Sequence, residues 1–264
     1  MTSVRADDHT GVAVPLLRAK FSVPKARGLL VPRPRLFDQL SRGVETSALT
    51  YVSAPKGWGK TSLVASWIGH DLPAGQLAWL SLDSGDNDPD RFWLAVVAAL
   101  RTHGVVVPAV LGSPRRTVVD RMFLDTVATA VVAGPGTVVL VLDRFVVITD
   151  PRILRDLDRV LRHAWRDLRI VMTSRRRSLH RFPPYLLTQD MTPLDRDTLA
   201  FTTEETEALL VQHGLSLEPR LVDALQRQTE GRADALRLCA TAMESEPVPG
   251  RVLGSIPAQR SPGP

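Results

Sequence analysis

The chain has a single cysteine, Cys239, in 264 residues. No internal disulfide framework can form, and a reducing, cytoplasmic setting is the simplest expectation. Long apolar runs are also missing. The longest uncharged stretch, Thr126 to Leu142, is broken by Gly134-Pro135-Gly136 and reads as a helix end, a turn and a strand, not a membrane span. Asp7 and Asp8 stand where a secretory signal would need an apolar core. Charge of one sign is scarce as well: 33 Lys and Arg against 28 Asp and Glu leave only +5. The densest basic cluster, Arg175-Arg176-Arg177, is short and reads as a solvated loop with one phosphate-sensing arginine. Zinc-ligand spacing, an aromatic–basic motif and a basic heptad arm are all lacking, so direct sequence-specific DNA binding by this chain is not expected. No repeat of solenoid length is visible.

What is present is ordinary globular material, 44% hydrophobic and 23% charged. A chain of this length buries roughly 70–75% of its unfolded surface and needs no disulfide or metal staple. Residues 1–18 and 246–264 lack a core-forming pattern and are expected to be disordered. Between them, apolar strand-like runs alternate with helical patterns. The runs are Thr50 to Ser53, Leu77 to Leu82, Thr137 to Leu142, Arg169 to Ser174 and a short one within Gln189 to Leu194. Asp88-Pro89 and Asp150-Pro151 each supply a helix N-cap followed by proline at the first helical position. The second of these helices is expected to carry a stripe of Leu154, Leu157, Leu161, Ala164 and Leu168. Strands joined by helices of this length predict an α/β fold with a mostly parallel five-stranded sheet flanked by helices, over residues 19–200. Thr202-Thr203-Glu204-Glu205 is a capping box, and helical patterns at Pro219 to Gln228 and Ala233 to Met243 follow it. They predict a small helical subdomain, a lid, over 201–245.

The chemistry is concentrated in Pro55-Lys56-Gly57-Trp58-Gly59-Lys60-Thr61-Ser62, between a predicted strand and a predicted helix. That is the context a phosphate-binding loop requires. Glycines let successive backbone N–H groups face one anion, and the helix that follows adds the positive end of its dipole. Lys60 would reach the β- and γ-phosphates, and the Thr61 hydroxyl would take a place on Mg²⁺. Ala54 stands where the strict pattern has its first glycine. Asp143 ends the apolar run from Val138 to Leu142, which suits the carboxylate partner for magnesium on a buried strand beside the first. A turn residue is the competing reading for Asp143, and a glycine-rich turn with a surface lysine is the competing reading for the loop.

These residues, with their order and spacing, resemble the large ATP-binding LuxR-type (MalT-like) regulators, a group of the STAND P-loop NTPases. The resemblance runs from about Leu17 to Met243. Its markers are Lys20, Val31 to Leu36, Ser53 to Thr61, Trp79 to Phe92 with Asp83, Asp86, Asp88 and Pro89, then Leu140 to Asp143. Thr173-Ser174-Arg175, Leu199 to Glu205 and Gly231 complete them. The resemblance implies a P-loop NTPase fold and an ATP/ADP switch, in which nucleotide state controls packing between core, lid and further domains. It implies that Val31 to Arg35, with Val31 and Arg33, lie against the adenine, and that Arg175 faces the terminal phosphate. A plain surface arginine is the competing reading for Arg175. The preference for ATP over GTP rests on the resemblance, and Ala54 fits the family's own form of the loop.

Three departures set the functional expectation. Arg144 stands where the family has a second acidic residue that positions the attacking water, and a guanidinium cannot act as a base. It would instead pair with a phosphate or with Asp143, which favours holding nucleotide over cleaving it. Arg232 and Ala233 replace the aromatic and proline with which the family's lid meets the nucleotide, which puts lid coupling in doubt. The family's winged-helix, sensor-arm and helix-turn-helix regions have no counterpart after Met243. The first reading is therefore a switch module that binds ATP or ADP with Mg²⁺, hydrolyses it slowly or not at all, and works through a protein partner or self-association. A working ATPase using Asp83 or Asp86 to polarise water is the alternative, although both suit turn and cap roles. A decayed nucleotide site acting only as a protein-interaction module is the third. No residue is assigned as catalytic.

Overall fold

A computed structural model describes residues 19–25, 30–71, 75–112, 118–176 and 182–244. The segments expected to be disordered, 1–18 and 246–264, and Arg177 of the basic cluster lie outside the described residues.

Five strands form one sheet: β1 (Leu49–Ser53), β2 (Gln76–Ser81), β3 (Val138–Asp143), β4 (Leu168–Ser174) and β5 (Met191–Leu194). Their order is β2-β3-β4-β1-β5, and every neighbouring pair is parallel. Helices α1 (Pro34–Thr46), α2 (Lys60–Asp71), α3 (Pro89–Thr102), α4 (Arg121–Val132) and α5 (Pro151–His163) cover the sheet. Side chains alternate between its two faces. Val52, Val139, Val141 and Val171 meet Leu36 and Leu40 of α1 and Val64 and Trp67 of α2. Tyr51, Leu80, Leu140 and Met172 point the other way, towards Phe92 of α3, Phe123 of α4 and Leu157 of α5. With both faces covered, β3 is buried along its whole length, which is why it reads as a continuous apolar run. Pro193 is tolerated because β5 is an edge strand paired only with β1.

The expected caps form. The Asp88 carboxylate accepts from the Arg91 N–H at 2.9 Å, and that of Asp150 from the Arg152 N–H at 2.7 Å. The α5 stripe differs from expectation at its end. The helix stops at His163, Ile153 and Val160 join Leu157 and Leu161 in the core, and Leu168 is the first residue of β4. A helical spacing had continued by coincidence across a turn. A second difference concerns Asp143. Its strand was expected beside β1, but β4 lies between them. Apolar, doubly buried strands carry no mark of which neighbour they take, so composition could not order them.

After two short helical turns, Pro183–Leu187 and Arg196–Leu199, the helical subdomain expected as a lid consists of α6 (Thr203–Gln212), α7 (Pro219–Thr229) and α8 (Ala233–Glu244). Leu209, Leu210, Val222, Leu225, Leu236 and Met243 give it a small core of its own, against which Val31 packs. No helix among the described residues is long and apolar enough to cross a membrane.

Candidate functional site

The carboxyl ends of β1, β3 and β4 lie side by side, where open parallel sheets place their ligands. From β1 the chain enters the glycine loop. Gly57 and Gly59 adopt φ +93° and +74°, a region open to glycine, and α2 begins at Lys60. Ala54 is 4% exposed, and its N–H donates to the Ser174 carbonyl at 3.2 Å, so its methyl is accommodated where other such loops have glycine.

Lys60 lies back along the loop, its Nζ donating to the carbonyl oxygens of Ala54 at 2.6 Å and Pro55 at 2.8 Å. Burial, together with the charge of Arg175, pushes its ammonium down to about 8, with Asp143 acting in the opposite sense. Buried Asp143 is the meeting point of three elements. The Thr61 hydroxyl of α2 donates to its Oδ1 at 2.8 Å, and the Thr173 hydroxyl of β4 donates to the same oxygen at 2.6 Å. Thr173 Oγ1 also accepts from the Arg144 N–H at 2.9 Å. Arg144 itself sits at φ 62° and ψ 40°, a left-handed conformation that is strained for a side chain of this kind. Its side chain is exposed and lines the cavity beside the loop.

Two connected cavities flank the loop and share Gly57, Gly59 and Ser62. One, about 180 Å³, is polar and basic, with Lys56, Lys60, Thr61, Arg144, Thr173 and Arg175 in its wall. The other, about 230 Å³, has an apolar wall that includes Val31, Phe37, Leu63, Phe201 and Leu209, with Arg33 at its edge. A polar slot opening beside an apolar one fits a phosphate chain and a flat heterocycle.

The helical subdomain packs against this junction. The Asp234 N–H donates to the Gly57 carbonyl at 3.0 Å, and the Asp234 side chain is paired with Arg232 at 2.6 Å. Ala233, Asp234 and Arg237 form part of the apolar cavity's wall. Arg232 and Ala233 therefore do not prevent the lid from reaching the loop.

Most of the residues singled out by sequence come together here, with four qualifications. The Trp58 side chain is 4% exposed in the α1–α2 core, which leaves its backbone to the site. Pro55 contributes the carbonyl that holds Lys60. The Arg33 guanidinium is spent on Glu205 and on the carbonyls of Leu199 and Ala200. Asp83 and Asp86 stand elsewhere, in a reciprocal capping box, and Lys20 bridges them at 2.9 and 2.6 Å. The Lys20 hydrogen bond holds Asp83 below the ordinary carboxylate range, which makes it a poor base. Sequence reasoning missed Phe37, Thr173 and Asp234. Thr173 lay inside a marker already noted, and Phe37 was signalled only by its place on the first turn of a helix.

No protein-family model matches the chain. It is 29% identical over 234 residues to the HTH-type transcriptional regulator MalT of Cronobacter sakazakii, covering 85% of this chain and 25% of that protein. It is 28% identical over 251 residues to the serine/threonine-protein kinase PknK of Mycobacterium tuberculosis, covering 90% and 22%. In structure it resembles a Walker-type ATPase of Pyrococcus abyssi, with a TM-score of 0.55 at 11% identity over 85% of this chain and 71% of that one. The fold is that of a P-loop NTPase domain. Within that class its sequence is similar to a segment of MalT. It spans about a quarter of the length of the curated relatives it matches.

Proposed function

We propose that this domain is the nucleotide-binding switch of a MalT-like transcriptional regulator, holding ATP or ADP with Mg²⁺ in the cytoplasm and hydrolysing it slowly or not at all. The observation that carries the reading is the paired cavity, in which one glycine loop forms a wall of both a basic slot and an apolar slot. Lys56, Lys60 and Arg175 would bind phosphates, with Ser62 at the start of α2. Val31, Phe37 and Leu63 would enclose the base. Thr61 and Asp143 fit magnesium: two hard oxygen donors 2.8 Å apart, with no group of three or more His, Cys, Asp or Glu among the described residues to form an all-protein cage. Such a pair suits a cation whose other ligands are water and phosphate. When bound, the cation would neutralise phosphate charge.

Slow hydrolysis follows from Arg144, which supplies a cation where a water-positioning carboxylate is needed. The output would pass through the lid, by contact with a protein partner or a second copy of the chain. The test is to denature the purified protein and identify by chromatography any nucleotide it releases. Near-stoichiometric ADP or intact ATP is expected. An empty protein whose melting temperature is unmoved by excess Mg·ATP would overturn the reading, because a ligand held by the folded state alone must raise stability.

A further inference from the structure

The basic slot carries more positive charge than a single phosphate-binding lysine supplies. Lys56, Lys60, Arg144 and Arg175 all stand in its wall and, among the described residues, no Asp or Glu does; Asp143 is buried behind it, and Asp234, across Gly57, is paired with Arg232. The Arg144 backbone is held by the Thr173 hydroxyl at its N–H, in a left-handed conformation, and its exposed side chain lines the slot.

Resting on the nucleotide-binding reading, we propose that the slot does not require a divalent cation to hold a nucleoside diphosphate: when the metal is scarce, Arg144 supplies the positive charge that it would otherwise bring. A guanidinium stays charged at any working pH and offers a planar fork of donors to phosphate oxygens. A triphosphate brings a further anionic group, so ATP gains more from the metal than ADP does. The domain then keeps ADP through swings in free magnesium.

The test is to titrate the full chain with ADP by calorimetry, once with Mg²⁺ and once with excess EDTA. Wild-type Kd is expected to change by less than about threefold between the two. Arg144→Gly, whose new residue is at ease at φ 62°, should weaken ADP binding in EDTA at least about tenfold, but by no more than about threefold with Mg²⁺. Arg144→Asp should act in the same direction, with a melting curve as the check on folding. Wild-type protein that binds ADP only with Mg²⁺ overturns the proposal and leaves the nucleotide reading standing. Absence of ADP binding in either buffer removes both. Equal weakening of Arg144→Gly in the two buffers makes Arg144 an ordinary phosphate contact and also overturns the proposal.

Discussion

Arg33 and Glu205 stand 172 residues apart in the chain and meet at 2.8 Å, joining the segment beside the apolar cavity to the first turn of the lid. The Arg33 guanidinium also donates to the Leu199 and Ala200 carbonyls and lies 4.2 Å over the Phe201 ring. Arg35 grips the other carboxylate oxygen of Glu205 at 2.8 Å. The same carboxylate closes the capping box on the Thr202 N–H at 3.1 Å. One glutamate therefore caps α6 and ties the lid to the core.

Glu205→Gln should lower stability by about 2–4 kcal/mol, because it leaves the Arg33 guanidinium, 7% exposed, without its counter-charge. Burial pushes the Glu205 carboxyl up, but hydrogen bonds from Arg35 and Arg33 outweigh it and hold the group below its ordinary value. A carboxylate depressed in the folded state stabilises fully above its unfolded value of about 4.3 and loses that contribution as pH falls through the folded value. Wild-type protein should therefore lose more stability than Glu205→Gln on acidification below about pH 4.5. Denaturant titrations across that range are the measurement, and parallel acid losses in the two proteins would refute the account.

Lys60 gives the second prediction. Its ammonium is lowered to about 8 in the protein without nucleotide. Phosphate contact favours the charged form, so binding near pH 8 should take up protons. Affinity for ADP should be steady below about pH 7.5 and fall as pH rises through about 8 to 9, where the free protein gives up the proton that binding needs. Calorimetry at pH 8 in buffers of different ionisation enthalpy measures the uptake directly. Lys60→Ala should abolish it and weaken ATP binding at least about tenfold. Unchanged ATP affinity in that variant would remove Lys60 from the site.

The strands, caps and loop could be read because each is written locally. Asp88-Pro89, Asp150-Pro151 and Thr202 to Glu205 announce helix starts within four residues, and all three form. The parallel sheet followed from alternation alone. Its order did not, since Thr173 of β4 lies between the β1 loop and Asp143 for reasons of packing that no single run records. Glu205 could be read as a cap but not as the partner of Arg33 and Arg35, because that pairing exists only once the lid has folded back. Asp234 drew no reading from sequence, and only its docked position shows that its backbone N–H holds Gly57.

That docking makes Gly57 unusually intolerant of change. A Cβ added there would fall 2.0 Å from an Asp234 carboxyl oxygen, on a backbone whose φ of +93° already disfavours any side chain. Gly57→Ala should cost about 2–3 kcal/mol, combining the strained backbone with a steric clash against the lid. Adding Asp234→Gly should recover the steric part and leave the backbone part. Denaturant unfolding of the two single variants and the double variant separates the terms. Strict additivity would mean that the lid does not rest on the loop in solution.

The last prediction concerns turnover. Arg144 is fixed beside Asp143 through Thr173, at the edge of the basic slot. A carboxylate at that position would accept a proton from, or orient, a water approaching the terminal phosphate, which a guanidinium cannot do. Aspartate also tolerates the left-handed backbone of this position better than arginine. Arg144→Asp should therefore raise Mg²⁺-dependent ATP turnover by about 10²-fold, the lower end of what a positioned general base contributes. The rate should vanish again when Lys60→Ala is added, which separates it from a contaminating ATPase. A variant that binds Mg·ATP as wild type does but turns over no faster would show that Arg144 is not what restrains hydrolysis, and the restraint would then lie in how Asp143 and Thr173 hold the water-facing side of the slot.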